Sequence, residues 1–183
     1  MPLESPLNER SNRLSLFSRL FGKTRAGRRQ LRPLWHRLVE IAREKHWYAQ
    51  CGIADSLAGR FDAITLVLAL AMLRMEGDHA LIEPTVRLTE IFVEDMDGQL
   101  RQSGVGDLVV GKHMGRLMQA LGGRLGAYRD ALAQDDAALA AALERNVTLV
   151  EGANGARLAA AVRALAERFQ AASADDLLAG RIA

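Results

Sequence analysis

Apolar residues recur along this chain at helical spacing. Leu34, Leu38 and Ile41 share a face behind Pro33, which suits the first position of a helix, so the spacing predicts a helix from Pro33 to about Tyr48. After a break from Gly52 to Gly59, residues 60–76 are apolar almost all round. Leu66, Leu70 and Leu73 point one way and Ile64, Leu68 and Met75 another, as expected of a helix at the centre of a bundle. Gly77, Asp78 and Pro84 mark the next turn. A helix from about Pro84 to Gln102 then buries Leu88, Ile91, Phe92, Met96 and Leu100. Beyond a glycine turn at 104–106, Met114, Leu117, Met118, Leu121, Leu125, Tyr128 and Leu132 keep helical spacing. Opposite them runs a stripe of Gly115, Gly122 and Gly126. Each helical glycine costs about 1 kcal/mol, so the stripe needs a reason. Close approach of a neighbouring helix is the favoured one; an exposed groove for a helix of another protein is the sharper one. Alanine-rich helices at about 135–150 and 155–171, separated at Gly152, Asn154 and Gly155, and a short helix near 174–180 complete the pattern. The expectation is a single all-α domain, a bundle of six to eight helices with no internal repeat and no strand.

Composition adds an asymmetry. The chain of 183 residues is one-domain in length and carries a net charge of +2. Residues 1–32 hold eight Lys/Arg against two acids, a net +6, which leaves −4 for residues 33–183. A basic, mobile arm over 1–32 on a mildly acidic body over 33–183 is therefore expected. In the arm, Leu14, Phe17, Leu20 and Phe21 share a face beside Arg19, Lys23, Arg25, Arg28 and Arg29. Such a face can lie on an anionic membrane surface, resembles an organelle presequence, fits a ribosome or another nucleic acid, or is a solvated tail. The most apolar run, Ala63–Leu73, has 11 residues, against the ~20 of a membrane span. The single cysteine, Cys51, reads as a small buried apolar residue in a reducing compartment. His36, His46, His79 and His113 have no metal-ligand spacing.

The unexplained chemistry sits in two blocks, DSLAGRFD at 55–62 and DMDGQLRQSGVGDLVVGK at 95–112. Gly106 to Lys112 spells GxxxxGK. A phosphate loop is rejected, because His113 stands where a magnesium-binding hydroxyl belongs and a helix precedes the string in place of a strand. Gly104 and Gly106 instead end one helix, and Asp107 caps the next. Asp95 and Asp97 project about 200° apart and make no catalytic pair. Asp97 falls on the polar face and can pair with Arg101. Asp95 flanks the buried stripe and needs a partner, for which Arg60, Lys112 and Arg124 are candidates. No nucleophile–base pair, metal cluster, cofactor motif or nucleotide site emerges. The chain does not read as an enzyme; it has no catalytic residue to nominate.

These blocks resemble the ubiquinol–cytochrome c chaperone family, whose members help assemble the cytochrome b subunit of the bc1 complex. The matching residues are Asp55, Gly59–Asp62, Asp95–Asp97, Leu100–Arg101, Gly104–Leu108, Val110–Lys112, Gly123–Arg124 and Ala127–Tyr128, within about 34–150. Val67 and Gln102 depart from the family pattern, where a histidine and an acid are expected. The resemblance implies a non-catalytic assembly factor that transiently binds newly made cytochrome b, with no cofactor. It implies a cytoplasmic site peripheral to the inner membrane, or the mitochondrial matrix in a eukaryote, with the arm on the ribosome or an anionic membrane. Arg60, Asp62, Asp97, Arg101 and Lys112 are the candidates for client contact. Asp55, Gly59, Phe61, Asp95, Gly104, Gly106, Asp107, Gly111, Arg124 and Tyr128 are assigned to a structural network. The competing readings are a basic-armed nucleic-acid- or ribosome-binding helical protein, without specific DNA recognition, and, ranked last, an enzyme. Client binding predicts an exposed groove of Leu, Met and Val beside the motif charges. Nucleic-acid binding predicts a continuous basic face.

Overall fold

The computed structural model describes residue 27, residues 29–102 and residues 107–182; for residues 100–102 and 107–114 it describes the backbone alone. The helical periodicity is realised as α1 (29–42), α2 (Lys45–Ala49), α3 (Leu57–Glu76), a 3-10 turn (His79–Leu81), α4 (Ile82–Gln102), α5 (Asp107–Leu132), α6 (Asp136–Asn146), α7 (Ala156–Ala171) and α8 (Ala174–Leu178). The all-α expectation holds. Among the described residues there is no strand, only an isolated antiparallel bridge between Ile53 and Leu149.

α3 is central because its sequence leaves it no polar face. Ser56, in extended conformation, accepts a hydrogen bond from the Gly59 N–H at 3.1 Å and so starts the helix. From Thr65 to Met72 every residue is buried. α4, α5 and α7 pack against α3, and Phe92, Tyr128 and Phe169 are fully buried from those three helices. Asp78, Asp135 and Ser173 cap the 3-10 turn, α6 and α8 through their side-chain oxygens. Trp47 closes the core beside α1, its indole N–H donating to the Ile41 carbonyl at 2.7 Å. Cys51 is buried and free, as its composition-based reading held.

Several boundaries differ from the periodicity. α1 has started by residue 29 and buries Leu31, so Pro33 lies inside it and 29–32 belong to the helical body. The helix expected to reach Tyr48 is two helices, because Glu44 is extended (φ −60°, ψ 132°). α6 stops at Asn146, four residues before the expected 150. Val147 turns extended, and the segment 147–150 leaves to pair with 52–54. There the Ala54 N–H donates to the Thr148 carbonyl and the Val150 N–H to that of Gly52, each at 2.9 Å. Among the described residues, the glycine stripe of α5 finds no neighbouring helix. A Cβ on Gly115, Gly122 or Gly126 would meet nothing within 4 Å, and the first two are exposed, so the packing favoured for the stripe is not realised.

Candidate functional site

The first motif is built around the start of α3. Gly59 is demanded by a close approach: a Cβ there would lie 2.0 Å from the Ala54 carbonyl oxygen. Asp55 and Arg60 form an exposed ion pair at 2.7 Å across the helix start. Hydrogen bonding from Arg60 holds the Asp55 carboxyl below the usual carboxylate range. Phe61 is half-buried, its ring 6.5 Å from that of Phe92.

Asp62 corrects one expectation. Named as a candidate for client contact, it is only 7% exposed. It faces α5 and the segment after α6, and both supply donors. Arg124 Nη2 reaches Oδ1 at 2.5 Å, while the Thr148 N–H and hydroxyl donate to Oδ2 at 2.9 and 2.7 Å. Arg124 Nη1 donates to the Thr65 hydroxyl, which donates in turn to backbone carbonyls of α3. Two motifs separated by about sixty residues, AGRFD and GRLGAY, thus meet in one buried ion pair. One turn beyond Arg124, Tyr128 is fully buried, its hydroxyl without a partner among the described residues. Burial pushes that phenol far up, against the lowering field of Arg124. Sequence reading missed Thr65 and Thr148, because a lone threonine carries no signal of a charged partner on a distant segment.

Asp95 is the second correction. Placed on a buried flank in search of a cation, it is exposed, and it accepts a hydrogen bond from Gln99 of the same helix, whose side-chain N–H donates at 3.1 Å. Arg60 and Arg124, two of its expected partners, bind Asp55 and Asp62 instead. The wheel position was right: Asp95 continues the row of Leu88 and Ile91. The buried stripe of α4 runs through Phe92 and Met96, 0% and 5% exposed, and leaves Asp95 on its open side. Asp97 is half-buried. Arg101 lies in the last turn of α4, and Asp107, Gly111 and Lys112 lie in the first turns of α5. Their side chains, and Gly104 and Gly106 altogether, lie outside the described residues. So do Phe17, Arg19, Phe21, Lys23, Arg25 and Arg28 of the arm, whereas Arg29 is an exposed residue of α1. No cluster of His, Cys, Asp or Glu able to hold a metal occurs among the described residues.

A groove of about 1430 Å³ opens between α1, α2, α3, α4 and α5. Val39, Ala42, Phe61, Ile64, Met96 and Leu117 form its buried and half-buried floor. Exposed Arg43, Lys45, Asp55 and Arg60 edge it, beside Leu57, an aliphatic side chain 88% exposed at the first position of α3. Of the client-contact candidates with described side chains, Arg60 lines this groove. Asp62 instead borders a second hollow of about 500 Å³ with Gly123, Arg124 and Thr148. An apolar trough with a charged edge can cover an apolar helix; it offers no reactive constellation.

A family model described as ubiquinol–cytochrome C chaperone matches residues 49–183, reaching the C-terminal helices that the motif resemblance had left out. Among solved structures, the crystal structure of the Cbp3 homolog from Brucella abortus is similar at 36% identity. The match covers 93% of this chain and 94% of that one, with a TM-score of 0.73. No curated protein matches.

Proposed function

This chain belongs to the ubiquinol–cytochrome c chaperone family, and from that premise we propose that it holds newly made cytochrome b, with an apolar segment of that subunit in the groove between α1, α3, α4 and α5, until the bc1 complex is assembled. The observation that carries the reading is the groove itself, an apolar floor left open at the end of α4 with Leu57 bare at its edge. Solvent-exposed leucine beside an apolar trough is what a transient apolar client requires. The role is binding, with the charged edge setting the register of the client. Among the described residues no helix is long and apolar enough to cross a membrane.

The test is site-specific photo-crosslinking in a host that depends on this protein. A photoreactive side chain at Leu57 or Gln99 should capture cytochrome b, and one at Arg163, on α7 away from the groove, should not. Leu57→Glu should lower bc1 activity while other respiratory complexes persist. Crosslinks to cytochrome b from Arg163 but from neither groove position would place the client elsewhere.

A further inference from the structure

The edge of the groove is electrically uneven. At the start of α3, Arg60 is neutralised by Asp55. Where α1 gives way to α2, Arg43 and Lys45 are both exposed, both line the groove, and neither forms an ion pair among the described residues. Glu44 stands between them, but its carboxylate is directed to His46 at 3.3 Å and does not line the groove. Two uncompensated cations therefore border an apolar floor.

We propose that the groove recognises an apolar helical segment flanked by carboxylates, whose acids face Arg43 and Lys45. This rests on the client-binding reading above and specifies the chemistry of the client. Charges at the edge of an apolar site act on encounter rate and register, and wrong-sign partners are disfavoured. The chain's own arm, net +6 over residues 1–32, is of the wrong sign for this edge.

Two labelled synthetic peptides test it against the full chain by fluorescence anisotropy. They share an apolar helical core of about 12 residues and differ only in carrying two glutamates or two lysines at one end. The glutamate peptide should bind at least about tenfold tighter at low ionic strength, and the gap should narrow as salt rises. Arg43→Glu with Lys45→Glu, both exposed and so compatible with an unchanged circular dichroism spectrum, should invert the preference. Equal binding of the two peptides, or a preference untouched by the double substitution, overturns the charge inference. Leu57→Ser separates the two levels: it should weaken both peptides alike. If neither peptide binds, or Leu57→Ser alters neither affinity, the groove reading itself fails.

Discussion

Asp62 accepts from three donors on two other segments, whereas Asp95 accepts from Gln99 of its own helix. The difference sets what each is worth. Asp62→Ala would leave Arg124 largely buried without its counter-charge and should cost about 3–5 kcal/mol. Asp95→Ala, at an exposed site, should cost less than about 1 kcal/mol. Urea melts of the two variants check this, and equal midpoints would contradict the burial argument. Tyr128 adds a pH signature. Its folded pKa is raised by burial above the ordinary value near 10. The folded state thus keeps a proton that the unfolded chain releases. That stability is intact below about pH 10 and is lost as pH rises from there toward the folded pKa. Tyr128→Phe, which removes a hydroxyl without a described partner, should keep the neutral-pH melting temperature and flatten the alkaline decline. A decline just as steep in the variant would show that other groups carry it.

Glycines show, at the scale of the helix, how far sequence patterns reach. Gly59 belongs to the motif by sequence, but its necessity depends on the path of the preceding loop, which brings the Ala54 carbonyl to 2.0 Å from any added Cβ. Gly122 was read as a packing position, yet an added Cβ there meets nothing within 4 Å. Gly59→Ala should therefore destabilise severely through backbone displacement, whereas Gly122→Ala should stabilise α5 by about 0.5–1 kcal/mol. Thermal melts decide both, and a destabilising Gly122→Ala would reveal a neighbour for that face. α4 teaches the same lesson. Its period was legible, including the row Leu88, Ile91 and Asp95, but periodicity says which residues share a face and not where the facing partner ends. An open groove beside the motif charges was expected from the family's client. That it lies between α4 and a far wall of α1 and α2 could not be read from spacing.

Across the whole molecule, the last residues of the chain return to α1. Gly180 takes a left-handed conformation (φ +71°) against the Pro33 carbonyl, and a Cβ there would come within 2.7 Å of that oxygen. Ile182 is then buried, with Arg37 donating to its carbonyl at 3.4 Å. α1 in turn supplies Val39 and Ala42 to the groove, with Arg43 just after it, so the C-terminal clasp supports one of its walls. Removing residues 179–183 should lower stability by about 2–3 kcal/mol, mainly through lost burial of Ile182, and should weaken client capture with it. Removing residues 1–26 is expected to act on different properties. It deletes five of the arm's eight Lys/Arg while sparing the buried Leu31. The melting temperature of the body should stay nearly constant, while sedimentation with ribosomes or with anionic vesicles falls. A cut at 32 is the informative control. It removes Leu31 and the first turn of α1, and so should destabilise where the cut at 26 does not. If both cuts leave the melt unchanged, the first turn of α1 contributes nothing to the core; if the shorter cut already unfolds the body, the arm is part of it.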